Sequence, residues 1–191
     1  MLLSNIIPAA LMSISCAMGS PLGTNDDSPE SFELFKPSKI GLYNTGTGSI
    51  APAPAGVVSK FPGDRGQDTT TLLTFTYPPE ASGKKCFLAF YLDSTASVSG
   101  SGKIDVFSSL GPAPDYAPGW PPGNQRDNHI GRLTACKGDF ARWDATYGSY
   151  LTEETDCKEP GTVEAYELVG VYDDDFVSWD PSVAGLEIYY N

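Results

Sequence analysis

The sequence predicts an all-β protein: an antiparallel β-sandwich, jelly-roll-like, built from about eight to ten short strands. Three observations predict it. The 191 residues include 16 prolines and 20 glycines, a density that breaks helices and suits many turns. Several segments alternate apolar and polar residues with the period of two that a half-buried strand requires. Beyond residue 19, no window carries a convincing helical period. Apolar residues make up 40% and charged residues only 19%, so the chain is not a solvated disordered tail. The length suits one domain with a sizeable core.

Residues 1–19 hold no Asp, Glu, Lys or Arg. Residues 6–12 are nearly all apolar, and Ala17 and Gly19 place small side chains three and one before Ser20. This pattern predicts a signal peptide over 1–19, with cleavage after Ala17 or a greasy N-terminal strand as alternatives. Residues 20–31 are polar, with Pro21, Gly23, Asp26, Asp27 and Pro29, and predict a flexible, disordered leader. Residues 32–191 then form the single β-sandwich domain.

Within it, residues 32–60 carry short apolar touches between turns. Leu73, Phe75 and Tyr77 alternate with Leu72, Thr74 and Thr76, and Pro78-Pro79 stops that strand. Residues 86–92 are apolar at nearly every position, as for a central strand covered on both sides. Gly100 to Gly102 is a turn, and Ile104 and Val106 open another strand. Residues 110–129 hold five prolines and form a loop too long for a plain connection. Further strands are expected over 130–136, within 140–150, over 163–172 and at Leu186, Ile188 and Tyr190.

The formal net charge is −12, from 24 acidic and 12 basic residues. Such a surface repels the phosphate backbone, so no nucleic-acid partner is expected. An anionic membrane surface is a poor partner for the same reason. The C-terminal residues carry no hydrophobic tail, so no membrane anchor is expected there.

If Cys16 leaves with the signal peptide, Cys86, Cys136 and Cys157 remain, an odd number. In an oxidising compartment two pair, and one stays free or bridges to another chain. Loop entropy favours Cys86–Cys157 by about 4 kcal/mol and Cys136–Cys157 by about 3, a gap too small to choose on.

Residues 124–132 are the most singular stretch, with the only histidine, two arginines and three amides. Asn124, Gln125 and Arg126 offer hydrogen-bond donors to a sugar or carboxylate, and Trp120 lies in the loop beside them. With Asp127 and His129 these residues form the candidate ligand-binding site. A catalytic reading makes His129 a general base oriented by Asp127, although no nucleophile motif accompanies it. The structural alternative is that Arg126 and Asp127 pair and lock the loop against the sheet. Asp173, Asp175 and Asp180 are candidates for a cation, but they lack EF-hand spacing and read more simply as a solvated turn. Trp143 and Trp179 are expected in packing roles. A carboxylate pair for glycoside hydrolysis is the enzymatic alternative. No cofactor is expected.

Two segments carry a family resemblance. Residues 70–93 read TTLLTFTYPPEASGKKCFLAFYLD, and residues 161–191 read GTVEAYELVGVYDDDFVSWDPSVAGLEIYYN. The first is similar to the strand, Pro turn, "AGK-C" and central strand of the fungal But-two family, the C-terminal domain of Uba-three-binding protein. The second resembles its closing pattern, with Trp179-Asp180-Pro181-Ser182 and Gly185-Leu186-Glu187-Ile188 in place of "NPSPIGLYI". Residues 99–106 (SGSGKIDV) fit as well. The resemblance implies an all-β domain, often extracellular or in the cell wall. It also implies a Cys86–Cys157 pair, leaving Cys136 as the extra cysteine, and brings no catalytic residues. The expected function is that of a secreted, non-catalytic protein that associates with the cell wall or recognises a glycan or another protein.

Overall fold

The structure, a computed structural model, describes residues 32–172 and 174–191. The expected signal peptide and leader lie outside the described residues. The described chain is an all-β sandwich, and all its strand pairs are antiparallel.

Fifteen strands are present among the described residues, more than the sequence predicts, because several are only two or three residues long. They are β1 (Glu33–Phe35), β2 (Lys39–Asn44), β3 (Ile50–Pro52), β4 (Gly56–Lys60) and β5 (Thr69–Thr76). Then come β6 (Lys85–Leu92), β7 (Ser97–Gly100), β8 (Lys103–Ser109), β9 (Arg126–Thr134) and β10 (Asp139–Phe140). The last five are β11 (Arg142–Thr146), β12 (Thr155–Asp156), β13 (Val163–Gly170), β14 (Asp175–Trp179) and β15 (Gly185–Tyr190).

The smaller sheet runs β1-β15-β6, with β10 and β12 sharing the far edge of β6. The larger runs β11-β9-β8-β13-β5-β4-β14-β7, with β2 on β5 and β3 on β2. Sequence-distant strands therefore lie side by side, as in β13 on β5 and β15 on β6.

The alternation in β5 sorts its residues onto two faces as expected, but the strand is not half-buried, because both faces are covered over most of its length. Leu73, Phe75 and Tyr77 point into the core between the sheets, meeting Leu88, Phe90, Ile104, Leu168 and Ile188. Trp179 is buried there, edge-on to Phe90 with ring centroids 5.2 Å apart. The opposite face of β5 is also buried. Thr70 and Thr74 are buried on this face, and Leu72 meets the Pro-rich loop, where Tyr43, Ile50, Leu72 and Ala117 form a second, smaller core. Both faces of β5 are thus buried from Thr70 to Phe75, the second helped by the loop over Leu72.

Two expectations about strands are corrected. The Pro-rich loop ends at Gln125, not His129, because Arg126 already pairs with Ser109 and starts β9. Outward positions of a strand tolerate polar side chains, so β9 extends past its apolar signal. β6 is not covered on both sides: Cys86, Leu88, Phe90 and Leu92 are buried, but Phe87, Ala89 and Tyr91 are only half-buried.

The acidic stretch at the start of β14 is split by the fold. Asp175 is buried and accepts hydrogen bonds from Ser101 Oγ (2.8 Å) and from the backbone N–H groups of Gly102 (2.7 Å) and Val171 (3.1 Å). It staples the β7–β8 turn, where Gly100 has φ +76° and a Cβ would lie 1.9 Å from Asp174 O. Burial holds the Asp175 carboxyl above its ordinary range, against the pull of Ser101 and the backbone donors. The folded protein therefore binds this proton more tightly than the unfolded chain does. The group's contribution to stability improves as pH falls through its folded value and levels off below its unfolded one. Asp175→Asn should lose this increment: wild type should gain stability relative to the variant as the solution is acidified. Denaturant unfolding of both proteins across pH tests this, and parallel stability curves would refute it.

Cys86 and Cys157 form a disulfide with Cα atoms 5.0 Å apart, tying β6 to the segment after β12. Cys136 is not left over: it too is disulfide-bonded, and no cysteine among the described residues is free. Among the described residues no helix is long and apolar enough to cross a membrane.

Candidate functional site

The Pro-rich loop crosses the outer face of the larger sheet. Ala117 and Ile50 exchange backbone hydrogen bonds at 2.8 and 2.9 Å, and Lys39 Nζ donates to Ala113 O at 2.7 Å. Beneath the loop Glu167 projects outward from β13, yet it is 0% exposed. Its carboxylate accepts from Thr70 Oγ1 (2.7 Å), Asn124 Nδ2 (2.8 Å), Arg126 Nε (2.9 Å) and Arg126 Nη2 (2.7 Å). The guanidinium also lies 4.7 Å from the centre of the Phe107 ring. A buried carboxylate needs such a full set of donors.

The candidate ligand-binding residues are therefore partly used inside the protein. Asn124 and Arg126 clamp the loop through Glu167, as the structural alternative anticipates, but with a different partner. Asp127 does not pair with Arg126; it accepts from Asn128 Nδ2 at 2.7 Å and is exposed. Gln125 sits at φ +57°, and its carbonyl accepts the Leu110 N–H. Trp120 is 61% exposed, packs edge-on to Tyr43 at 5.7 Å, and lies against Gly48 and Gly123, where a Cβ would come within 2.6 and 2.8 Å of the indole.

His129 stacks on Phe107 at 4.5 Å and leans on Tyr147 at 4.8 Å. Its Nε2 is 3.1 Å from both Asp105 Oδ1 and Gly131 O. Asp105 also receives Arg132 Nε and Nη2 at 2.7 and 2.9 Å. The carboxylate beside His129 is thus Asp105, not Asp127, and it is shared with an arginine. That removes the orienting pair on which the general-base reading rests.

The cation reading has no geometry behind it among the described residues. Asp173 lies outside them, Asp175 points inward, and Asp180 caps its own turn through Ser182 N–H at 2.8 Å. No group of three His, Cys, Asp or Glu side chains is placed to hold a metal among the described residues.

A concavity lies elsewhere, along the far edge of β6. β12 pairs with Lys85 and Cys86, and β10 pairs with Tyr91 and Leu92. Between these contacts, among the described residues, the edge is bridged by Leu88 N–H donating to Leu151 O (2.9 Å) and Ala141 N–H donating to Phe90 O (2.7 Å). Leu151 is fully buried and sets residues 152–154 along the gap. The result is a cleft of about 530 Å³, open to solvent and mostly apolar, with Phe90 and Leu133 from the core at its base. Phe87, Phe140, Trp143 and Tyr189 form its walls, and Glu153 and Glu154 line one side.

The rings are ordered against one another. Phe87 and Tyr189 stack with centroids 5.5 Å apart and planes 19° apart. Phe32 meets Phe87 edge-on at 5.4 Å, and Phe140 meets Tyr189 at 5.9 Å and Tyr91 at 5.2 Å. The Tyr189 hydroxyl donates to the buried Glu187 at 2.9 Å; burial, then that bond, push the hydroxyl pKa up. Phe87 and Tyr189 are half-buried and Phe140 is exposed, so the cleft presents aromatic surface to solvent.

Sequence reasoning did not single out this cleft. The signal existed in the outward residues of 86–92 and in Tyr189, but alternate aromatics look the same whether a second layer covers them or not. The fold and the cleft define a class: a β-sandwich with an aromatic cleft on its edge. In comparison with known proteins, no family model matches the chain and no curated protein matches it.

Proposed function

We propose that this chain is an extracellular, non-catalytic β-sandwich that binds a glycan, with the But-two resemblance and cell-wall association as part of that reading. The observation that carries it is the row of Phe87, Tyr189 and Phe140, whose half-exposed rings line the cleft beside Trp143. Flat rings of this kind take the apolar C–H faces of a pyranose at little entropic cost. The Cys86–Cys157 disulfide supports an oxidising compartment, and the signal-like residues 1–19 support secretion. The contact surface moves from the Trp120–His129 region to the cleft, because Asn124 and Arg126 are held by Glu167. Trp120 stays available as a second, peripheral contact. The enzymatic alternative finds less support: Glu153 and Glu154 stand on one wall, whereas glycoside hydrolysis needs carboxylates flanking the bond.

Retention on chitin, β-glucan and mannan fractions tests the reading. Phe140 is 46% exposed, so Phe140→Ala should leave the fold intact and weaken retention about 5- to 10-fold, in line with about 1 kcal/mol or more for an aromatic contact. Wild type failing to bind any glycan fraction, or Phe140→Ala binding as well as wild type, would overturn the reading or its site respectively.

A further inference from the structure

We propose that the cleft selects a cationic glycan, a chain of hexosamine units whose amino groups are free and protonated. This rests on the glycan reading above and narrows it. The first ground is the state of the two carboxylates in the cleft. Glu153 and Glu154 are exposed there and make no ion pair or hydrogen bond with any described residue. Several carboxylates elsewhere pair with lysines, as Glu33 does with Lys84, Asp144 with Lys103 and Glu187 with Lys36, and others such as Glu80 and Glu159 are exposed and unpaired like these two; what distinguishes Glu153 and Glu154 is their place on an aromatic cleft.

The second ground is what the cleft lacks. Among the described residues no Lys, Arg or His lines it, and the Tyr189 hydroxyl already donates to Glu187. A neutral sugar, rich in hydroxyls that need donors and acceptors, finds few fixed partners there beyond Thr152 and the carboxylates. An acidic sugar meets two like charges on a protein of net charge −12. A protonated amino sugar fits both halves of the wall. Its ring lies on Phe87, Phe140 or Trp143, and its ammonium, which only donates, reaches carboxylates, which only accept. An ammonium over an aromatic face adds a cation–π attraction. The cleft volume is within the roughly 300–1,000 Å³ typical of small-ligand sites.

The test uses the full chain with its disulfides intact and two probes of equal length: a fully deacetylated and a fully acetylated β-1,4-linked glucosamine oligomer. Titration calorimetry should show the deacetylated oligomer binding about 10-fold tighter at low salt, as two exposed ion pairs allow. The preference should shrink when salt shortens the screening length to about 3 Å. Glu153→Gln with Glu154→Gln, at exposed positions without internal partners, should abolish the preference, the deacetylated oligomer losing about 10-fold more affinity than the acetylated one. Equal affinity for both oligomers in wild type would overturn the inference while leaving the glycan reading standing. A preference that survives in the double variant would overturn it too, since the polycation would then be held by the general negative surface. Binding of neither oligomer, with no retention on β-glucan or mannan, would instead bring down the glycan reading itself.

Discussion

Arg126→Ala should cost the folded protein about 3–5 kcal/mol, read by denaturant unfolding at neutral pH. The reason is Glu167, whose carboxylate is 0% exposed and takes two of its four hydrogen bonds from this one guanidinium. Truncating the arginine leaves a buried charge with only Thr70 and Asn124 to satisfy it. Arg126→Lys should fall between, because one ammonium cannot reproduce the two parallel bonds of the fork. The double replacement Arg126→Met with Glu167→Leu should recover much of the loss, since exchanging a whole buried pair for apolar groups costs far less than breaking it. A loss below about 1 kcal/mol for Arg126→Ala would contradict the clamp. The variant also separates two explanations of any lost binding. If Arg126 were a ligand contact, affinity would fall with the fold intact; as a clamp, its loss loosens the loop over β5 and lowers stability first. Asp127→Asn, at an exposed neighbour without that buried partner, should change stability by no more than about 0.5 kcal/mol.

The second large effect belongs to the disulfide. Cys86 and Cys157 are 71 residues apart, and opening a loop of that size releases about 4 kcal/mol of restrained unfolded-state entropy. Cys86→Ala with Cys157→Ala should lower unfolding stability by that order. The local consequence follows from the pairing. β12 holds to β6 by only two residue pairs, and Cys157 N–H donates to Lys84 O at 2.9 Å. Without the bridge, residues 155–157 should exchange their amide hydrogens before the β6–β15 pair does. A midpoint shift equivalent to less than about 1 kcal/mol, or exchange protection unchanged over 155–157, would show that the bridge merely decorates a segment already held.

The two effects differ in how far they could be anticipated. The resemblance to the But-two family implies the Cys86–Cys157 bridge, whereas loop entropy alone leaves it level with Cys136–Cys157. The Glu167 clamp has no such forerunner. Glu167 sits inside Val163–Gly170, where its charge suggests an outward, solvated position. It does face outward from the sheet, but the Pro-rich loop comes down over it, and nothing near Glu167 in the sequence announces that.

The β character of this chain was legible in local chemistry. Period-two runs such as 72–77, turn glycines at 100 and 102, and prolines dense enough to exclude helices act over a few residues each. Trp179 could likewise be assigned to packing, and it is buried against Phe90. The strand ends were less legible, because Arg126 joins β9 through a partner, Ser109, on another strand. The polar stretch 124–132 stands out by composition, yet what Arg126 does there depends on Glu167, 41 residues beyond it and brought under the loop by β13. The cleft is further still from local reading. It combines the edge of β6, residues 152–154, Trp143 and Tyr189, four stretches that meet only once both sheets have closed. Alternation tells which residues share a face of a strand. Whether that face ends up against a core, a loop or open solvent is decided by long-range strand pairing, whose energy comes from burial shared among segments that no local window contains.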